Sequence, residues 1–205
     1  MLLRRACWTT IVEMKVAASL LLLSLYCFGA GSPVPRKAPS FGVQTGPEKY
    51  TWLNEYEGKT VILAFVLTDC DHCQYTTGLL NTIQQDYAAR GVQVLESAID
   101  SMSALRLPDF VARTKASFPV GYNDAGYATR FLGYGDADPM YAPQIVFIDR
   151  NGMIRAQFGG DDPRLLKDVQ DKTLRDTLDG ILKTGQDAGV TKKGPPATRP
   201  TAPKQ

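Results

Sequence analysis

The sequence is poor in the residues that build metal and disulfide frameworks: 205 residues contain one histidine, His72, and four cysteines. A metal site made of imidazoles is excluded, and with it most zinc hydrolases. No apolar stretch reaches the roughly 20 residues that a membrane-crossing helix needs; the run from Val16 to Phe28 has 13. Charge of one sign is also lacking. With 23 Lys+Arg against 21 Asp+Glu, the net charge of +2 gives no field that would gather nucleic acid, and no such partner is expected. Glycine (18) and proline (13) are too few for a fibrous or wholly disordered chain.

What is present begins with a targeting pattern. Arg4, Arg5 and Lys15 precede the apolar run, and Gly29, Ala30, Gly31 and Ser32 follow it, the order of a secretory signal peptide over residues 1–31. Met14-Lys15 would itself open a complete signal, so the start is either Met1 or Met14. The bulky Tyr26 ahead of Cys27 does not resemble the small residue that lipoprotein processing accepts. The protein is therefore expected to be exported, periplasmic or otherwise extracytoplasmic, and tethered to a membrane only if the signal is kept. Cleavage would remove Cys7 and Cys27 and leave Cys70 and Cys73 alone. An exported chain with two cysteines has no structural disulfide framework, so its fold must stand on a hydrophobic core.

Residues 32–40, with Pro33, Pro35 and Pro39, read as a linker, and 41–184 suffice for one domain. Residues 185–205 hold Lys192, Lys193, Arg199 and Lys204 against Asp187, with four prolines. Such a tail buries too little apolar area to offset its ordering entropy.

Within the domain, Val61 to Leu67 is a continuous apolar run after Glu57-Gly58-Lys59 and reads as a fully buried strand. Cys70-Asp71-His72-Cys73 follows, then a helix with Leu80, Ile83 and Tyr87 on one face, stopped by Gly91. Val92 to Ile99 is a second strand, completing a β-α-β unit with a parallel pair. Helices are expected over Pro108–Ala116 and Ala125–Leu132. Ile145–Asp149 and Met153–Phe158 form a hairpin across Asn151-Gly152, and a last helix spans about Pro163–Lys183.

This order, with the dithiol at a strand-to-helix junction, resembles a thioredoxin-like fold: a central mixed β-sheet flanked by helices. Glu57-Gly58-Lys59, Phe118-Pro119-Val120 and the run Ala142-Pro143-Gln144-Ile145-Val146-Phe147-Ile148-Asp149-Arg150-Asn151-Gly152 resemble more narrowly the TlpA/ResA-type thiol-disulfide oxidoreductases. The likeness covers about Phe41 to Lys183. It implies an enzyme without cofactor or metal, whose partners are disulfide- or dithiol-containing proteins and a membrane-bound protein that supplies or withdraws electrons. It also implies that Ala142 and Pro143, the latter with a cis peptide, shape the groove for a partner's cysteine.

The spacing carries its own chemistry. Two residues between the cysteines put both sulfurs on the first turn of one helix, where unpaired N–H groups favour an anion at the first. Cys70 is the expected nucleophile and Cys73 the resolving thiol. His72 would add a positive charge that tunes the Cys70 thiolate and makes the protein more oxidising; otherwise it is an exposed polar residue at a helix start. Departures from the family pattern are as informative. Ala64 stands where many relatives have a buried acid, Asp69 where they have Trp, and Thr76 where a glutamate is frequent, so no general base can be named. Asp69 and Asp71 would oppose a thiolate.

Other classes fit less well. A zinc module lacks two further ligands, Gln74 replaces the histidine of covalent haem attachment, and the wider spacing and distal histidine of a Sco-type copper chaperone are missing. Thr68 alone does not make a peroxiredoxin pattern. The expectation is an exported thiol-disulfide oxidoreductase that reduces partner disulfides, with oxidation or isomerisation as the alternative and a non-catalytic binding module of the same fold after that.

Overall fold

The computed structural model describes residues 32–135 and 137–188; the expected signal peptide and most of the expected tail lie outside them. The described residues form one eight-stranded mixed sheet with helices on both faces. The strands are β1 (Arg36–Lys37), β2 (Gly42–Gly46), β3 (Lys49–Trp52), β4 (Thr60–Val66), β5 (Val92–Ala98), β6 (Val120–Tyr122), β7 (Gln144–Ile148) and β8 (Met153–Phe158). The helices are α1 (Asp71–Tyr87), α2 (Ser103–Thr114), α3 (Ala125–Leu132) and α4 (Gln170–Ala188). Strand order is β1-β8-β7-β4-β5-β6-β2-β3, with β4, β5 and β6 parallel and the remaining pairs antiparallel. Among the described residues, no helix is long and apolar enough to cross a membrane.

All seven residues of β4 are buried because the strand serves two cores at once. Ile62 and Ala64 face the layer of Leu80 and Ile83 from α1 and Leu174 and Leu178 from α4. Val61, Leu63 and Phe65 face the opposite layer, with Phe41 and with Ala128, Phe131 and Leu132 of α3. A strand covered on both faces needs apolar residues at every position, which is why its sequence shows no alternation. Each fully buried Leu, Ile or Phe here contributes about 1.5–3 kcal/mol. The Phe41 ring stacks on Tyr127 at 4.5 Å and meets Phe65 edge-on at 5.3 Å, fixing α3 against that face.

The β-α-β unit, the Asn-Gly hairpin and α3 lie where the sequence places them, and the thioredoxin-like fold is that of the structure. Four differences have physical causes. The helix expected from Pro108 starts five residues earlier, at Ser103, with Pro108 inside it. Both Ala104 and Pro108 are exposed, so water can meet the carbonyl that the missing N–H leaves free. The helix expected from Pro163 is a single 3-10 turn, Pro163–Leu165, capped by Asp162; Leu166 turns extended, and α4 begins at Gln170 and continues to Ala188, four residues into the expected tail. Within the expected linker, Arg36–Lys37 pair with Ile154 and Met153 as an edge strand. The β2–β3 hairpin was not legible, because its strands are short and β3 is largely exposed.

Candidate active site

The site stands at the end of β4, where the strand passes Leu67, Thr68 and Asp69 and enters α1. Cys70 is the residue that caps α1: its backbone is extended (φ −95°, ψ 116°), and its Sγ accepts the backbone N–H of Cys73 at 3.1 Å. An anion on that sulfur has a donor already aimed at it. Cys70 is half-buried, Cys73 is wholly buried, and both are free thiols in this structure. Cys73 Sγ accepts the N–H of Leu67 at 3.5 Å. Burial, aided by the hydrogen bond with Cys70, pushes the Cys73 thiol far above the ordinary thiol range. The two sulfurs therefore occupy unlike environments: one reachable and facing a helix start, the other dry and holding its proton.

Around them pack Val66, Ala98 and Phe110, with Leu107 and Ala142 at the margin. Ala142 thus packs against the cysteine cluster, and its peptide bond to the buried Pro143 is cis. Behind this segment Gly160 donates its N–H to the Tyr141 carbonyl at 2.9 Å. The two pieces that the sequence separates by about seventy residues, the dithiol and the Ala142-Pro143 segment, are brought to one edge of the core.

His72 is half-buried and tethered: its Nε2 lies 3.2 Å from Gln170 Oε1, while Gln170 Nε2 donates to Thr76 Oγ1 at 2.9 Å. Gln170 is wholly buried at the start of α4, so this chain of bonds pins the first turn of α1 to the last helix. Asp69, expected to oppose a thiolate, forms an ion pair with Arg106 of α2. Arg113 donates to the Thr68 carbonyl, and Asp100 Oδ2 accepts the Thr68 N–H, so the turn before Cys70 is held by α2 and the end of β5.

One ionisable residue was missed in the sequence. Glu96, in the middle of β5, is wholly buried, and burial raises its carboxyl to about 8. It sits in an apolar run, Val92 to Ile99, and a lone acid in a predicted buried strand is the signal that would have found it. It lies beside Ala64 in the parallel register of β4 and β5.

A family model described as "AhpC/TSA family" matches residues 34–157. ResA thiol-disulfide oxidoreductases are among the similar curated proteins. That of Bacillus thuringiensis subsp. konkukian is 24% identical over 64% of this chain and 72% of its own length, and that of Bacillus anthracis 26% identical over 73% and 77%. A solved structure from Chlorobium tepidum, assigned as a thiol:disulfide interchange protein DsbE, superposes with a TM-score of 0.60 at 26% identity, covering 76% of this chain and 99% of that one. With its thioredoxin-like sheet and its cysteine pair at the head of α1, the chain belongs to the AhpC/TSA family, as a thiol-disulfide oxidoreductase of the TlpA/ResA type.

Proposed function

We propose that the protein acts after export, extracytoplasmically, and reduces disulfides in partner proteins through Cys70 and Cys73. The observation that carries this reading is the asymmetry of the pair: a reachable Cys70 Sγ with the Cys73 N–H at 3.1 Å, beside a wholly buried Cys73. Cys70 attacks a sulfur of the partner's disulfide, breaks its S–S bond and releases one partner thiolate, leaving a mixed disulfide. Cys73 then loses its proton and attacks Cys70 Sγ, and the second partner thiolate departs. The partner gains two electrons and the dithiol becomes a disulfide. A second protein, bound to the membrane, returns two electrons to start the next cycle.

Ala142 and Pro143 form the wall against which the partner's backbone lies, and His72 tunes the thiolate from the first turn of α1. The test is the reduction potential of the purified protein against glutathione. A value near about −270 mV supports a reductase, and one near about −120 mV overturns that direction in favour of an oxidase.

A further inference from the structure

Glu96 is a wholly buried carboxyl, and its hydrogen bonds do not balance if it is ionised. Thr77 Oγ1 lies 2.9 Å and 3.2 Å from the two carboxyl oxygens of Glu96 and also 2.9 Å from the carbonyl oxygen of Cys73. A hydroxyl has one proton, and both a carboxylate and a carbonyl only accept. With Glu96 ionised, one of these contacts lacks a hydrogen. With Glu96 protonated, its O–H donates to Thr77 Oγ1, Thr77 donates to the Cys73 carbonyl, and both contacts are filled.

Among the described residues, the titratable group that responds to a charge on Glu96 is Cys73. Its neighbours in register are Ala64 on β4 and Val120 on β6, and its backbone N–H goes to the Pro119 carbonyl. From α2, Arg106 and Arg113 turn to Asp69 and to the Thr68 carbonyl, and Asp109 is exposed. From α1 comes Cys73, hydrogen-bonded to Cys70, and a negative charge on Glu96 raises the Cys73 thiol further.

We propose that Glu96 is the proton-holding residue of the dithiol, coupled to Cys73 through Thr77 and the turn it anchors. The proposal rests on the thiol-disulfide reading above. In the reducing direction, the ionised Glu96 takes the proton that Cys73 gives up; the Cys73 thiolate then forms its bond to Cys70 Sγ, the bond between Cys70 and the partner breaks, and the partner leaves as thiolate. When the Cys70–Cys73 disulfide is reopened by an incoming thiolate at Cys70, Cys73 departs with the electron pair and recovers the proton from Glu96. Burial holds Glu96 at about 8, so near neutral pH most molecules carry the proton and the ionised fraction grows as pH rises.

The experiment has two arms on the full-length protein. The first needs no substrate: infrared spectra of the reduced protein from pH 6 to 10 should show a protonated carboxyl band at neutral pH that vanishes as pH rises past about 8 and is absent in Glu96→Gln. Absence of that band from the wild type would overturn the proposal without bearing on oxidoreductase activity. In the second arm, a mixed disulfide preformed on Cys70 with a thionitrobenzoate probe is followed as Cys73 expels it. The wild-type rate should climb with pH through about 8 and level off; in Glu96→Gln that step should disappear, with the rate at pH 8 lower by about 100-fold, and Glu96→Asp should restore part of it. Coinciding pH profiles in wild type and Glu96→Gln would overturn the coupling. An intact infrared titration in a protein whose mixed disulfide never resolves would instead overturn the thiol-disulfide reading.

Discussion

Cys70 Sγ accepts the backbone N–H of Cys73 at 3.1 Å, so the backbone of one cysteine orients the sulfur of the other before any chemistry begins. The bond runs through the backbone and survives replacement of the Cys73 side chain. Cys73→Ser should therefore keep a competent Cys70 and accumulate mixed disulfides with partner proteins, whereas Cys70→Ser should trap few and lose insulin reduction. Alkylation followed by peptide mass mapping near neutral pH should label Cys70 well before the wholly buried Cys73. Labelling in the opposite order would reverse the two roles.

Glu96 also makes stability depend on pH. Its carboxyl holds a proton more tightly in the folded protein than in the unfolded chain, so its contribution is fully present below the unfolded value and is lost as pH rises through the folded one. The interval from 4.5 to about 8 corresponds, at about 1.4 kcal/mol per pH unit, to roughly 5 kcal/mol. Asp149 and Asp162, held below the usual carboxylate range by hydrogen bonds from backbone and arginine, act in the opposite sense and lose their contribution in acid. Urea midpoints should fall between pH 5 and pH 9 in the wild type and fall much less in Glu96→Gln. Equal slopes in the two proteins would mean that Glu96 is ionised throughout.

These expectations separate what the sequence could carry from what it could not. Cys70 and Cys73 were legible because their spacing restricts them to one helical turn, and the β4–α1–β5 unit because β4 must be apolar on both faces. The partnership of Ala142-Pro143 with the dithiol came from resemblance alone, since strand pairing across seventy residues leaves no local mark. Glu96 was read as part of an apolar strand: its meaning depends on which face of β5 meets Thr77, and a run with no alternation does not disclose its faces. The pairing of Asp69 with Arg106 was hidden for a similar reason, because it joins two loops' worth of chain through α2.

His72 lies on the first turn of α1, held at its Nε2 by Gln170. If its charge favours the Cys70 thiolate, His72→Gln should lower the reduction potential by about 30 mV for each 1.4 kcal/mol of lost preference for the reduced state. The protein would become a better reductant. His72→Pro removes the ring and a backbone donor together, and Pro is tolerated in a first helical turn, so the pair of variants separates charge from backbone. An unmoved potential in both would reduce His72 to the tether between α1 and α4.

Gly160 lies against the Tyr141-Ala142 backbone, and its replacement should injure function more than folding. A Cβ there would lie 2.3 Å from the Ala142 carbonyl oxygen and 2.5 Å from its carbon, with the Tyr141 carbonyl oxygen at 3.0 Å. These are backbone atoms and no rotamer relieves them, so Gly160→Ala must displace the Tyr141-Ala142-Pro143 segment. The segment leads into β7, whose pairing begins only at Gln144, so the cost to stability should stay within about 1–3 kcal/mol. A shift of about an ångström in the wall beside Cys70 should lower the rate with a protein disulfide by about 100-fold. Reaction of Cys70 with a small alkylating reagent, which needs no groove, should change little. Gly78→Ala on α1 is the matched control: nothing lies within 4 Å of the added Cβ, and it should add up to about 1 kcal/mol of stability at unchanged activity. Loss of small-reagent reactivity in parallel with protein-disulfide turnover in Gly160→Ala would show that Gly160 supports the dithiol itself and not the groove.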